Sequence, residues 1–185
     1  VKAVVGHDFG SPVAAWCALT RPDVFRAVVM MSAPFSGPPD PQSWSATHAA
    51  LSHEVAALAH VQPPRQHYQW YYSGPQANED MWNAPQGLLA FLRAYYHVKS
   101  ADWAGNHPHP LQAWRADELA KLPHYYVMLD GQTMAQAVAA HAPSAEDVAR
   151  CHWLSDADLA VYVDAYQRRG FQGGLQWYRC ATSLA

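Results

Sequence analysis

The sequence predicts a mixed α/β fold in which a short parallel-strand segment precedes a mostly helical region. A β-branched pair, Val4-Val5, supplies the apolar run of a strand that turns within a few residues into an apolar helix. A second apolar strand, Phe25 to Ser32, follows at the spacing of a right-handed β-α-β unit. Beyond the proline-rich residues 33–41 no strand–helix alternation returns.

The first strand ends in a sharp turn with an aspartate at its apex. Gly6 and Gly10 flank Asp8 two residues to either side. A tight strand-to-helix turn forces its apical residue into an unfavourable backbone region, so we expect a Cβ at either flank to collide. Asp8 would then be held out above a sheet that is buried on both faces. The pentapeptide alone fits an ordinary turn with an aspartate cap equally well.

The chain is predicted to divide into a core segment, residues 1–41, and a helical region, residues 42–185. Apolar periodicity and capping residues predict the helices of the second part. These are Ser43–His60, for which an irregular surface segment is the alternative, Pro63–Tyr72, Asn83–His97 with Asn83 as N-cap, Asp117–Leu122, Met134–His141, and a helix capped by Ser155 and ended by Gly170. Leu88, Phe91, Leu92 and Tyr95 share one face of the third of these and are expected in the core.

Composition excludes several classes of function. A net charge of −3 with scattered cations offers no basic face, so a nucleic-acid partner is not expected. No apolar run approaches the roughly 20 residues that span a bilayer. The chain begins within a strand and without methionine, which predicts missing upstream sequence; a cytoplasmic location is favoured. The sequence gives no indication of oligomeric state.

Neither the cysteines nor the histidines predict a bound cofactor or metal. Three widely spaced cysteines suit reduced, mostly buried thiols rather than a disulfide framework. Two of the eleven histidines, His107 and His109, lie close in sequence, but no further ligand stands at a suitable spacing. His7, beside the apical aspartate, is expected to be structural.

Asp8 has the chemistry of a ready nucleophile. A carboxylate is normally ionised at neutral pH and can attack an sp³ carbon without a general base, which forms an ester. The backbone N–H of Phe9, the next residue, would supply half of an oxyanion hole for hydrolysis of that ester. If the electrophile is a three-membered ether, the departing alkoxide needs an acid. A phenol, with a pKa of about 10 in model peptides, can provide the proton from a dry pocket.

Three stretches resemble one known family. The segment VVGHDFGSPVAAWCALTRPDVFRAVVMMSAPF resembles the nucleophile region of α/β-hydrolases of the epoxide hydrolase family. The stretch GFQGGLQWYR at 170–179 resembles a Gly-Phe-x-Gly-x-Leu-x-Trp-Tyr-Arg signature that carries one proton-donating tyrosine in the cap of those enzymes. The stretch RQHYQWYYSGP at 65–75 resembles the helix that carries the other.

The resemblance covers nearly the whole chain and implies a partial α/β-hydrolase core with a nucleophile elbow, followed by a helical cap (lid) domain. It implies that Asp8 opens a small hydrophobic epoxide through an ester intermediate, with Tyr68 and Tyr178 as proton donors. The other eight tyrosines are expected to pack. Adjacency to the implied site adds three weaker candidates for substrate binding, Phe35, Gln69 and Trp177.

The implied catalytic set is incomplete. Family members place a carboxylate and a water-activating histidine after the cap, and a His-Gly-x-Pro loop before the first strand. None of these is present in the sequence. The chain is therefore expected to be a fragment of marginal stability that could be alkylated at Asp8 without turnover.

Two alternatives to the epoxide reaction stay open. A haloalkane dehalogenase uses the same aspartate, but halide leaves without a proton, and its pocket commonly carries tryptophan where this chain has Phe9. A non-catalytic remnant would use its aromatic residues only to hold a hydrophobic ligand.

Overall fold

The structure is a computed structural model that describes residues 2–35, 37–38 and 41–182, without the side chains of 41–48. The fold is mixed α/β, with many helices and little sheet. The chain divides into two compact units, Val1–Trp44 and Ser45–Ala185.

The first unit contains a parallel β-α-β arrangement, as predicted. Strand β1, Ala3–His7, pairs with β2, Ala27–Met31, in a register that sets Ala3 opposite Ala27 and His7 opposite Met31. Helix α1, Gly10–Thr20, connects the strands and packs against both. It ends before Arg21-Pro22, where the proline disfavours helical backbone at the preceding residue, and the backbone N–H of Arg21 donates to the carbonyl of Cys17.

The expectation that both strands are buried on both faces is wrong for the described residues. Every residue of β2 is exposed, and Val29 retains 49% of its accessible surface. In β1, Val5 is 58% exposed. Among the described residues, helix α1 packs on the two strands and leaves these apolar side chains exposed.

The second unit combines helices with a short antiparallel ribbon. Its elements in chain order, starting with a helix shared with the first unit, are α2 Pro41–Ala57, a 3₁₀ turn Leu58–His60, β3 Arg65–His67, α3 Tyr68–Ser73, α4 Ala77–Trp82, α5 Leu88–Val98, α6 Ala116–Leu119, β4 Val127–Leu129, α7 Met134–Ala139, α8 Ala145–Arg150, α9 Asp156–Arg169 and α10 Gln172–Thr182. Strand β3 pairs with β4, with Arg65 opposite Leu129 and His67 opposite Val127.

Two predicted helix starts are wrong in this unit. The helix expected from Pro63 begins only at Tyr68, because the three residues before it pair with β4. The helix expected from Asn83 begins at Leu88. Asn83 instead ends α4, where its N–H donates to the carbonyl of Glu79, and Gly87 enters α5 at φ +82°.

The core of the second unit contains the apolar faces that the sequence predicts. Phe91 and Leu92 of α5 are at most 2% exposed, and Leu159 of α9 is fully buried. Helix α9 has the predicted cap, since the Ser155 hydroxyl accepts the N–H of Asp158 and the Asp158 carboxylate accepts the N–H of Ser155. Gly170 follows the helix at φ +59°.

The thiols are less buried than expected. Cys17 and Cys151 are half-buried and Cys180 is exposed. In the part of the chain that the structure describes, no three metal-ligating side chains cluster. Within the same residues, none of the helices has the length and apolar character needed to cross a membrane.

Candidate functional site

Asp8 sits at a strained turn between β1 and α1. Its φ of +53° lies in the left-handed region, where aspartate and asparagine are more tolerated than most residues. The Asp8 N–H donates to the Met31 carbonyl at 3.0 Å, and the Ser11 N–H donates to the Asp8 carbonyl at 2.9 Å. The turn is therefore fixed by the neighbouring strand on one side and by the first turn of α1 on the other.

The two flanking glycines differ in their steric role. A Cβ on Gly6 would lie 1.9 Å from the carbonyl oxygen of Gly10, so only glycine fits there. A Cβ on Gly10 would meet nothing within 4 Å among the described residues. The expectation that both flanks must be small is thus correct for Gly6 and wrong for Gly10.

Ser11 clamps the turn, a role that sequence reasoning missed. Its side chain is fully buried, and its hydroxyl lies 3.0 Å from the Gly6 carbonyl and 2.8 Å from the Met31 carbonyl. The same hydroxyl accepts the N–H of Met31 at 3.0 Å. A small polar residue at the start of an otherwise apolar helix was the available signal, because such a group must find a partner when buried.

The Asp8 side chain is exposed, and its carboxylate has a defined hydrogen bond. The backbone N–H of Phe9 donates to Asp8 Oδ2 at 2.7 Å. This contact holds one carboxylate oxygen against a main-chain donor, which is the arrangement an oxyanion hole requires if charge develops on that oxygen.

Tyr68 and Tyr178 lie together in the second unit. Tyr68 opens α3, and its N–H continues the β3–β4 ladder by donating to the Tyr126 carbonyl at 2.8 Å. Helix α10, which carries Tyr178, packs against α3. The two phenol rings, both half-buried, meet edge to face with centroids 5.7 Å apart. The amide of Gln69 donates to the Tyr68 hydroxyl oxygen at 3.3 Å.

His67 caps the helix that carries Tyr68. Its Nδ1 accepts the Gln69 N–H at 3.4 Å, a long contact, and the imidazole is buried among the rings of Tyr68, Trp70 and Trp114. Burial lowers the pKa of His67 to about 4. The imidazole is therefore neutral at physiological pH, which is the state in which Nδ1 can accept a hydrogen bond.

The remaining candidates lie on both units. Asp8, Phe9 and Phe35 belong to the first, where the ring of Phe35 contacts that of Trp16 at 5.3 Å. The others, Tyr68, Gln69, Trp177 and Tyr178, belong to the second. Trp177 is 41% exposed.

Comparison with known proteins gives one informative likeness. A solved structure of an epoxide hydrolase from an endophytic Streptomyces matches 98% of this chain with 25% identity and a TM-score of 0.61. The match covers 46% of that protein, so this chain spans about half its length. No protein-family model matches the sequence, and no curated protein matches it. The likeness indicates a related fold.

Proposed function

We propose that this chain carries the nucleophile and the proton donors of an epoxide hydrolase acting on a small hydrophobic epoxide. In this proposal residues 1–41 are a segment of an α/β-hydrolase core and residues 42–185 its cap. Asp8 is the nucleophile, and Tyr68 and Tyr178 are the acids. The observation that supports the epoxide reaction above other uses of an aspartate is the pair of phenols in ring contact at 5.7 Å.

One hydrogen bond bears on the proposed role of Tyr68. Gln69 donates an N–H to the oxygen of Tyr68, which occupies an acceptor site on that hydroxyl. In the proposed reaction the Tyr68 hydroxyl donates its proton to the oxygen of the epoxide. A haloalkane would have no use for such a pair, because halide leaves without a proton.

The first chemical step forms an ester. Asp8 Oδ1 attacks a ring carbon, a carbon–oxygen bond forms, and the carbon–oxygen bond of the strained ring breaks. The bonding pair passes to the ring oxygen, which takes a proton from Tyr68 or Tyr178 and becomes a hydroxyl. The product is a hydroxyalkyl ester of Asp8, and one phenol is left as a phenolate that regains its proton later in the cycle.

The second step is hydrolysis of that ester to a vicinal diol. Asp8 Oδ2 becomes the ester carbonyl oxygen, and the N–H of Phe9 already donates to it at 2.7 Å. When water adds to the carbonyl carbon, negative charge develops on this same oxygen, where the N–H stabilises it. The proposal names no residue of this chain as the base that activates the water.

Alkylation of Asp8 by styrene oxide tests the proposal directly. The protein is incubated with the epoxide, digested, and mapped by mass spectrometry. We expect one epoxide equivalent on Asp8, and Tyr68→Phe and Tyr178→Phe should each slow its formation by roughly 10² or more, since a positioned acid contributes 10²–10⁴. Benzyl bromide serves as the control electrophile, because bromide leaves unprotonated and its rate should not respond to either substitution.

Three results would contradict the proposal. No label on Asp8 would favour a non-catalytic role for the chain. Release of halide from a chlorobutane with no reaction of the epoxide would favour a dehalogenase. Equal slowing of both electrophiles by the tyrosine variants would mean that the phenols support the fold rather than the reaction.

A further inference from the structure

A third tyrosine packs against both proposed proton donors. Tyr72, one helical turn after Tyr68 on α3, is 5% exposed. Its ring lies 5.6 Å from that of Tyr68 in an edge-to-face contact and 5.0 Å from that of Tyr178 in a tilted one. The two donors contact one another at 5.7 Å, so the three rings form a closed triangle with Tyr72 as its most buried member.

The buried end of Tyr72 is anchored by a second element. Its hydroxyl forms a hydrogen bond of 3.1 Å with the hydroxyl of Tyr95 on α5. Burial raises the pKa of Tyr72 well above its ordinary value and that of Tyr95 to about 12, so both phenols are neutral. A hydrogen bond between two neutral hydroxyls in an apolar core requires a defined geometry, and a buried hydroxyl left without a partner is destabilising.

Tyr95 is itself held in place. Its ring contacts that of Phe91 in the core of the second unit at 5.8 Å, and Lys99 Nζ lies 5.2 Å from its centroid. Lys99 Nζ also lies 4.8 Å from the ring of Tyr126, which contacts Tyr68 at 5.3 Å. Tyr72 thus links the rings of both donors to α5 through its hydrogen bond with Tyr95.

We propose that the hydrogen bond between Tyr72 and Tyr95 makes Tyr72 a positioning residue, which sets the relative orientation of the Tyr68 and Tyr178 rings for proton delivery to an epoxide oxygen. The inference rests on the proposed function of those two tyrosines. Tyr72 itself touches no substrate in this scheme. It fixes the angle at which two acids converge, and general-acid catalysis depends steeply on such geometry.

The test removes the hydroxyls and keeps the rings. Tyr72→Phe, Tyr95→Phe and the double variant are each treated with styrene oxide and with benzyl bromide, and the saturating rate of Asp8 labelling is compared with its half-saturating concentration. We expect each single variant to lower the saturating epoxide rate about tenfold, within the roughly 10²-fold that a 1 Å misplacement can cost. Half-saturation and the bromide rate should stay unchanged.

The double variant gives an internal check. Because both single changes break the same hydrogen bond, the double variant should be no slower than the slower single one. Tyr71→Phe is the matched control on the same helix, since it removes a half-buried hydroxyl's bond to Asp80, 3.1 Å long, and leaves the Tyr72–Tyr95 pair intact. It should react with the epoxide at the unmodified rate.

Other outcomes would overturn either the positioning role of Tyr72 or the proposed function itself. An epoxide rate for Tyr72→Phe equal to that of the unmodified protein overturns the positioning role and leaves the proposed function standing. Equal slowing of epoxide and bromide labelling shows that the hydroxyl pair only supports the fold, and also overturns that role. Absence of Asp8 labelling in the unmodified protein overturns the proposed function, and the positioning role fails with it.

Discussion

The proposed nucleophile and the proposed acids occupy very different surroundings. In the first unit Asp8 stands at the end of a sheet whose β2 residues are all exposed. In the second unit Tyr68 and Tyr178 are half-buried against a continuous apolar core. The two regions therefore position their functional groups by different physical means.

Backbone geometry positions Asp8. A glycine that admits no Cβ, a buried serine hydroxyl and two main-chain hydrogen bonds define the turn within a few residues of sequence. Side-chain packing positions the tyrosines, because the β3–β4 ribbon and helices α3, α5 and α10 come from distant parts of the chain. Substitutions at the turn should therefore have local effects, whereas the effects of substitutions around the tyrosines should spread over many packing contacts.

The largest expected effect is loss of the nucleophile. Asp8→Asn should reduce labelling by styrene oxide roughly 10⁴-fold or more, because an amide is not a nucleophile at neutral pH. Asparagine tolerates a φ of +53°, and its amide oxygen can still accept the Phe9 N–H. The unfolding midpoint should therefore stay unchanged. Labelling that persists at the same rate would place the reactive group elsewhere.

The next largest expected effect is steric, and it should differ between the two flanking glycines, Gly6 and Gly10. Gly6→Ala should destabilise the turn by about 3 kcal/mol or more, since its Cβ would lie 1.9 Å from a carbonyl oxygen that the backbone cannot easily move. Hydrogen exchange of the α1 and β2 amides measures the loss. Gly10→Ala is the matched control and should be neutral or slightly stabilising, because alanine favours helix and nothing obstructs it. Equal effects at both positions would contradict the steric account.

The sequence predicts the locally determined parts of both units. The end of α1 at Arg21, the cap of α9 at Ser155 and the buried stripe containing Phe91 follow from short-range patterns. The pairing of strands β3 and β4 does not follow from such patterns. Strand β3 consists of three polar residues, Arg65–His67, without an apolar alternation, and its partner β4 lies far along the chain. Only pairing with a distant segment makes them strands.

The candidate site likewise has a part that follows from local sequence and a part that depends on distant contacts. The strained turn at Asp8 could be predicted from Gly6. The ring contact between Tyr68 and Tyr178 does not follow from sequence spacing, and only the resemblance to a family points to these two residues. The exposure of Val29 was also missed, because an apolar run indicates a strand and says nothing about what covers it.

The free energy of unfolding of the second unit should depend on pH through His67, with an effect of intermediate size. The pKa of His67 is about 4 in the folded protein and about 6.5 when unfolded. The unfolded chain therefore binds more protons between these values, and this contribution to stability is complete above pH 6.5 and lost as pH falls towards 4. The loss should approach about 3 kcal/mol.

A neutral variant isolates this contribution from other titrations. His67→Asn keeps a side-chain acceptor for the Gln69 N–H and cannot be protonated. It should lose some packing at every pH, yet its denaturation midpoint should fall less than that of the unmodified protein between pH 7 and 4.5. Parallel pH profiles for the two proteins would mean that the buried imidazole is protonated without penalty.

The smallest expected effect concerns the Ser11 hydroxyl and its contribution to the geometry of the Asp8 turn. Ser11→Ala removes the group that meets the Gly6 and Met31 carbonyls and the Met31 N–H, at a cost of about 2 kcal/mol for buried groups left unpaired. Gly6 and the main-chain hydrogen bonds of Asp8 remain, so the strained φ of Asp8 should be retained. We therefore expect faster hydrogen exchange at the Met31 amide while Asp8 keeps its labelling rate within about threefold. A labelling rate that falls as far as in Asp8→Asn would mean that the serine, more than the backbone, holds the nucleophile in place.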